Sequence, residues 1–325
     1  MRNQETFRIN IFGVGRSGTK AVQLWLGYLM AKKYGEVWIN YEPLRYQSKS
    51  LGPNHWGWRV HRSMPLLAED NEDNRSTFRS FGTALNRHPV VVSKFIRATG
   101  RINVINSVTK PDLSILVVRD LYQVLQSVGR LTWNLFDNEK EWLRLHRQAI
   151  EDNPSYEKNY GKISQYDKHL TNATYWYLMN KHALDHLEDT IVVDYADLRT
   201  LETHVKIAGI GTEGTSVRDA LFKGGRIHRQ SPLEEVEKGG SPRLSRVFEA
   251  ILPDKVSSEI NARFSKLPPG SLCKINSSSD EVALRQDRKK KVRPEIKVKA
   301  NPMFDDMVEQ VQESLSAALA RQKAA

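Results

Sequence analysis

Arg16, Ser17, Thr19 and Lys20 stand together in the stretch Ile9-Asn10-Ile11-Phe12-Gly13-Val14-Gly15-Arg16-Ser17-Gly18-Thr19-Lys20, where an apolar run stops at glycines and a helix-compatible segment, Ala21 to Lys33, begins. Side-chain donors clustered at one turn are suited to holding an anion. A strand, a glycine turn and a helix start reinforce them. Amides of the first helical turn point outward without intrahelical acceptors, and the helix dipole adds partial positive charge at the same end. The chemistry favoured here is the binding of a phosphate-bearing ligand. The plain alternative is an ordinary glycine turn between a core strand and its helix, and the clustered donors weigh against it.

Three motif readings compete for these letters. Gly13-x-Gly15-x-x-Gly18 fits a dinucleotide-binding fingerprint, with Glu42 near the expected distance of about 20 residues for a ribose-binding acid. Gly13-x4-Gly18 also begins a Walker A loop. There Thr19 occupies the lysine position, Lys20 comes one residue late, and Ala21 cannot supply the magnesium-binding hydroxyl. The third reading, Arg16-Ser17-Gly18-Thr19, needs no metal and resembles the 5′-phosphosulfate loop of sulfotransferases.

A second constellation follows the apolar run Leu113 to Val118. Arg119 comes directly after it and Ser127 eight residues later, about two turns into a helix that starts near Leu121. A guanidinium fork and a hydroxyl can converge on one phosphate. The stretch 117 to 130, Val-Val-Arg-Asp-Leu-Tyr-Gln-Val-Leu-Gln-Ser-Val-Gly-Arg, is similar to the 3′-phosphate-binding segment of the sulfotransferase superfamily. Tyr41-Glu42-Pro43-Leu44 and Lys94-Phe95-Ile96-Arg97 resemble segments of its carbohydrate and bacterial members, and Val193-Asp194-Tyr195-Ala196-Asp197-Leu198 resembles its Tyr-Glu-Asp-Leu segment. The elements occur in the family's order over about residues 7 to 200.

The resemblance implies a P-loop-like three-layer α/β fold and 3′-phosphoadenosine 5′-phosphosulfate as sulfuryl donor, with no metal. By position, Arg16, Ser17, Gly18, Thr19 and Lys20 would surround the 5′-phosphosulfate, Arg119 and Ser127 would hold the 3′-phosphate, and Tyr195 would lie near the adenine. Arg16, with Lys20 assisting, would stabilise the leaving oxygen, and Glu42 would be the base for an acceptor hydroxyl. His55, His61 and His88 are reserve bases. Three departures stand out: Lys20 replaces a common hydroxyl residue, Ala21 replaces an adenine-stacking Trp for which Trp25 is the nearest substitute, and Ala196 replaces the first acid after Tyr195. A basic stretch, residues 222 to 229, could close over the 3′-phosphate.

These residues need a frame. Residues 7 to 14, 37 to 41, 90 to 95, 113 to 118 and 190 to 195 read as strands, the last taken as a central one. Helical spacing covers 19 to 33, 99 to 108, 122 to 133, 139 to 151 and 168 to 187. Nearly all-apolar strands alternating with helices imply a central parallel sheet flanked by helices on both faces. Ligands then sit at the carboxyl ends of the strands, where Gly13 to Gly18, Glu42, Arg119 and Tyr195 all fall. Segment 44 to 88 reads as a long irregular acceptor loop or lid, with Tyr46, Trp56 and Trp58 as stacking faces for a small-molecule or glycan acceptor.

The expected organisation is a sulfotransferase-like α/β domain over 1–276, a basic linker over 277–302 and an amphipathic C-terminal helix over 303–325. Phe304, Met307, Val311, Leu315 and Ala318 form a near-heptad seam. That seam allows docking on the body, self-association, or fraying. Deleting 277 to 325 is expected to abolish function in a scaffold protein and to leave donor affinity intact in a sulfotransferase.

Composition bounds the rest. A chain of 325 residues can bury a sizeable core. Its net charge is +11, and residues 285 to 299 alone contribute +6 of it, so the basic excess belongs largely to the tail and no nucleic-acid partner is expected. One cysteine, Cys273, excludes an internal disulfide framework. The chain has no transmembrane-length apolar run and no signal-like start, so cytoplasmic residence is the expectation. Competing functions are a P-loop-like nucleotide-dependent phosphotransferase, a nicotinamide-binding oxidoreductase, and a non-enzymatic polyanion-binding or scaffold protein.

Overall fold

The computed structural model describes residues 6–41, 64–86, 88–129, 168–212, 272–276, 298 and 300–324, with single positions at 135, 143, 147 and 151. Strands β1 (Phe7–Phe12), β2 (Glu36–Tyr41), β3 (Val90–Phe95), β4 (Leu113–Val118) and β5 (Ile191–Asp194) run parallel, and β6 (Leu272–Asn276) pairs antiparallel with β2. The order across the sheet is β5-β4-β1-β3-β2-β6. This is an α/β fold with a parallel five-strand centre.

The alternation of side chains explains why both faces are covered. Ile9, Ile11, Val90, Val92, Ile115 and Val117 point to a core shared with α1 (Thr19–Tyr34) and α6 (Arg199–Ile207). Phe12, Phe95, Leu116, Val118 and Val192 belong to a second core. That one is closed by α2 (Glu72–Leu85), α3 (Ile102–Thr109), α4 (Leu121–Gly129), α5 (Lys168–Asp185) and α7 (Pro302–Ala324). A strand buried on both faces needs apolar residues at successive positions, and β3 and β4 are buried throughout.

Several expectations need correction. The segment 44 to 88 is not irregular throughout, because 72–85 forms α2. Asn71 caps it, its side chain accepting from the Asn74 amide at 2.9 Å, and Glu72 and Asp73 favour the positive helix end. Its polar face is broad, which hides the helical period. The first strand stops at Phe12 because Gly13 and Val14 enter the turn. β5 is an edge strand rather than a central one, and α6 and β6 carry no sequence expectation. Residues 139 to 151 and 222 to 229 lie outside the described residues but for single positions, as does most of 277–302.

The tail seam faces inward. Phe304, Met307, Val311, Leu315 and Ala318 are buried in the same core as Leu116 and Val118. Tyr177 Oη donates to Gln310 Oε1 at 2.6 Å and Ser314 Oγ to Asp185 Oδ1 at 2.7 Å. At the far end, Gln322 Oε1 accepts from the Val192 amide at 2.7 Å and its Nε2 reaches the Val192 carbonyl at 3.4 Å. One side-chain amide thus does for the β5 edge what a neighbouring strand would do. Self-association through this seam would first require α7 to leave the core, and deletion of 277 to 325 would strip the core rather than trim an appendage.

Candidate functional site

Parallel pairing gathers the candidate residues. β1 pairs with β4 up to Phe12↔Leu116, and β4 with β5 up to Val118↔Asp194. One step beyond, the loop after β1, Arg119 and Tyr195 therefore emerge side by side at the same end of the sheet. The Tyr195 amide donates to the Val118 carbonyl at 2.8 Å, which continues the ladder into the site.

The first loop is a tight turn. The Ser17 amide donates to the Val14 carbonyl at 3.1 Å, and Arg16, third in the turn, has φ 79° while Gly15 has no positive φ. That is a type II pattern, whose third position favours glycine. Gly13 is required for a different reason: at φ 153°, a Cβ there would stand 2.7 Å from the Val117 carbonyl oxygen and from Thr19 Cγ2. Gly18, at φ 82°, caps α1, and its carbonyl accepts from the amides of Ala21 and Val22 at 3.0 and 3.3 Å. Ser17 is fully buried, and among the described residues its Oγ has no hydrogen-bond partner. A buried hydroxyl without a partner is costly, so a ligand oxygen is a fitting acceptor or donor for it.

The second loop meets the first directly. Arg16 Nε donates to Ser127 Oγ at 2.8 Å, and Arg119 Nη1 donates to the Arg16 carbonyl at 2.8 Å. Arg119 Nε also donates to Gln123 Oε1 at 3.1 Å, and its guanidinium lies 4.3 Å from the centre of the Tyr195 ring. This cation–π contact aligns the fork with the strand ends. Asp120 Oδ1 accepts from the Gln123 amide at 2.9 Å and so caps α4, the helix that carries Ser127.

Of the expected residues, Arg16, Ser127, Arg119 and Tyr195 form one contact chain. Ser17, Gly18, Thr19 and Lys20 sit at the turn and first helical turn of α1, with Thr19 buried and Lys20 half-buried. Glu42, His55, His61, Tyr46, Trp56 and Trp58 lie outside the described residues. His88 is removed as a base: it precedes β3, at the sheet end opposite the loops, and stacks on Trp38 with ring centres 3.7 Å apart. Trp25 offers no face for a base, because it is fully buried in the α1 core.

Residues beyond those given a site role by the sequence also surround the site. Gln23 Nε2 donates to the carbonyls of Asn40 and Val92 at 2.9 and 3.0 Å, tying α1 to the carboxyl half of β2 and the middle of β3. Lys94 is buried near the carboxyl end of β3, in register with Ile11. It heads the stretch Lys94-Phe95-Ile96-Arg97 that the sequence singles out. Trp176 of α5 donates its indole N–H to the Arg119 carbonyl at 2.9 Å, and nothing local in the sequence announces that contact.

Among the described residues, no group of three or more His, Cys, Asp or Glu is placed to hold a metal, and no helix is long and apolar enough to cross a membrane. No protein-family model matches the chain, and no curated protein matches it either.

Proposed function

We propose that this protein is a sulfotransferase that moves the sulfuryl group of 3′-phosphoadenosine 5′-phosphosulfate to a hydroxyl or amine acceptor, with a carbohydrate or glycoconjugate as the favoured acceptor class. The observation that carries the reading is the joining of two anion-binding loops at adjacent strand ends, through Arg16 to Ser127 and Arg119 to Arg16. A ligand with phosphate at both ends of one nucleoside suits two linked pockets. The resemblance of residues 16 to 19 and 117 to 130 to the two phosphate-binding segments of sulfotransferases points the same way, and a P-loop-like fold belongs with it.

In this reading Ser17 to Lys20 hold the 5′ end, with the buried Ser17 hydroxyl turned to a ligand oxygen. Arg119 and Ser127 hold the 3′-phosphate, and Tyr195 borders the base. When bound, the donor supplies an activated sulfuryl group. The acceptor oxygen forms a bond to sulfur as the bond from sulfur to the 5′-phosphate oxygen breaks, and Glu42 takes the acceptor proton. The products are the sulfated acceptor and adenosine 3′,5′-bisphosphate. Positioning and charge stabilisation do most of the work in such an in-line transfer.

The alternatives fit less well. A dinucleotide-binding sheet has β2 beside β1, whereas here β3 lies between them. A magnesium-dependent phosphotransferase needs a hydroxyl where Ala21 stands, and Lys94 puts a cation at the carboxyl end of the strand beside β1.

Thermal unfolding with adenosine 3′,5′-bisphosphate, magnesium–ATP and NAD in parallel tests the reading. Ligand at about 100 times its Kd adds roughly 2.7 kcal/mol. The bisphosphate is expected to raise Tm and the other two to leave it nearly unchanged. A rise with magnesium–ATP or NAD alone overturns the proposal.

A further inference from the structure

The last turn of α7 meets the outer edge of β5 through the side chain of Gln322. Its Oε1 accepts from the Val192 amide at 2.7 Å. Its Nε2 lies 3.4 Å from the Val192 carbonyl and 2.8 Å from Nε2 of His204 on α6. Neither residue belongs to the anion site. We infer that His204 and Gln322 form a pH-sensitive latch: the neutral imidazole holds the end of α7 on the β5 edge, and a proton on the ring releases that turn and uncovers the edge.

The contacts of the amide leave it one orientation. The Val192 N–H needs an acceptor, so the oxygen of Gln322 must face it and the NH2 group must face the Val192 carbonyl and His204. An NH2 group here only donates. His204 Nε2 must therefore accept, which makes the ring neutral with its proton on Nδ1. A proton added at Nε2 sets two donors head to head at hydrogen-bond distance. Turning the amide over would offer the imidazolium an oxygen, but it would press the NH2 group on the Val192 N–H and the oxygen on the Val192 carbonyl. Either arrangement loses a hydrogen bond and adds a repulsion.

The surroundings do not offset the added charge. Charged side chains on the elements that meet here are Arg199, Glu202 and Lys206 on α6, Asp194 on β5, and Arg321 and Lys323 on α7. Burial alone lowers the imidazole from its ordinary value of 6.5. Once the turn lets go, water can reach the ring, and its place in the last turn of α6 favours a cation. The latch is therefore closed above the ordinary value of 6.5 and opens as pH falls below it. An open latch presents the Val192 N–H and C=O for strand pairing with another chain.

Backbone amide exchange of the full chain at about pH 7.5 and about pH 5, corrected for the intrinsic rate, tests this in wild type, His204→Gln and Gln322→Glu. In wild type, protection of the Val192 amide is expected to fall about tenfold or more between the two conditions. Glutamine at position 204 stays neutral throughout, so His204→Gln should fall by less than about threefold. Gln322→Glu sets an acceptor against both the Val192 N–H and the protonated ring, so its protection should hold or rise at the lower pH. Nitrogen NMR shifts should report the Nδ1–H tautomer for the neutral ring in wild type. Equal falls in wild type and His204→Gln overturn the inference, as does an Nε2–H tautomer or a fall in Gln322→Glu as steep as in wild type. None of these outcomes depends on what the anion site binds.

Discussion

The indole nitrogen of Trp176 donates to the main-chain carbonyl of Arg119 at 2.9 Å. The bond links the packing of α5 directly to the candidate site, because Trp176 belongs to the core that α7 also joins. It also separates two kinds of variant. Arg119→Ala removes a charged contact and should weaken binding of adenosine 3′,5′-bisphosphate by about 2–5 kcal/mol. Trp176→Phe leaves that side chain in place and removes the indole donor from its carbonyl, so it should cost about 1–3 kcal/mol of folding stability and a smaller part of the affinity. Titration and urea unfolding of both variants check this.

Glu42→Gln keeps the shape of the side chain and removes its basicity. Turnover should fall by about 10²–10⁴-fold, with bisphosphate affinity unchanged. Sulfuryl transfer at the wild-type rate in this variant would take Glu42 out of the mechanism.

Gly13→Ala places a methyl group 2.7 Å from the Val117 carbonyl and from Thr19 Cγ2, at a φ of 153° that alanine avoids. A loss of about 2 kcal/mol or more in urea unfolding is expected, with nucleotide affinity falling alongside. Stability equal to wild type would mean that the first loop has slack that its geometry denies.

Met307 is fully buried on α7. Met307→Ala should cost about 2–5 kcal/mol, as for a large-to-small change in any core. Gln322→Ala leaves the Val192 edge without its side-chain partner, at about 1–3 kcal/mol, and should increase self-association in size-exclusion chromatography. If Met307→Ala unfolds like wild type, α7 is not part of the folded body.

Burial pushes the His182 imidazole down to about 4, helped by the neighbouring His186 and opposed by Asp185 and a backbone bond to Ala68. Between its ordinary value of 6.5 and that point, the unfolded chain binds a proton that the folded chain refuses. Stability is therefore full above pH 6.5 or so and falls as pH drops towards 4. His204, also lowered by burial, acts in the same direction. The His182 share is on the order of 3 kcal/mol. Urea unfolding at about pH 7 and pH 4.5 should show a shallower acid loss in His182→Gln. Parallel losses in the two proteins would assign the acid sensitivity to other groups.

Much of the frame was legible from local pattern. The runs Val90 to Phe95 and Leu113 to Val118 can only be strands covered on both sides, and Gly13 and Gly18 announce the turn before α1. α2 was not legible, because its polar residues outnumber the few that touch the core and its start depends on a cap at Asn71. The tail seam was visible as a period, but what it faces was not.

By itself the chain determined that strands alternate with helices and that polar donors gather after β1 and β4, since periodicity and turn chemistry act between near neighbours. Only the tertiary structure decided where Arg16 reaches, that β5 lies at an edge sealed by Gln322, and that Trp176 supports Arg119. Arg16 and Ser127 are 111 positions apart, and Gln322 and Val192 are 130. Contacts at that separation are set by strand order, register and competition for burial, which no local stretch of residues encodes.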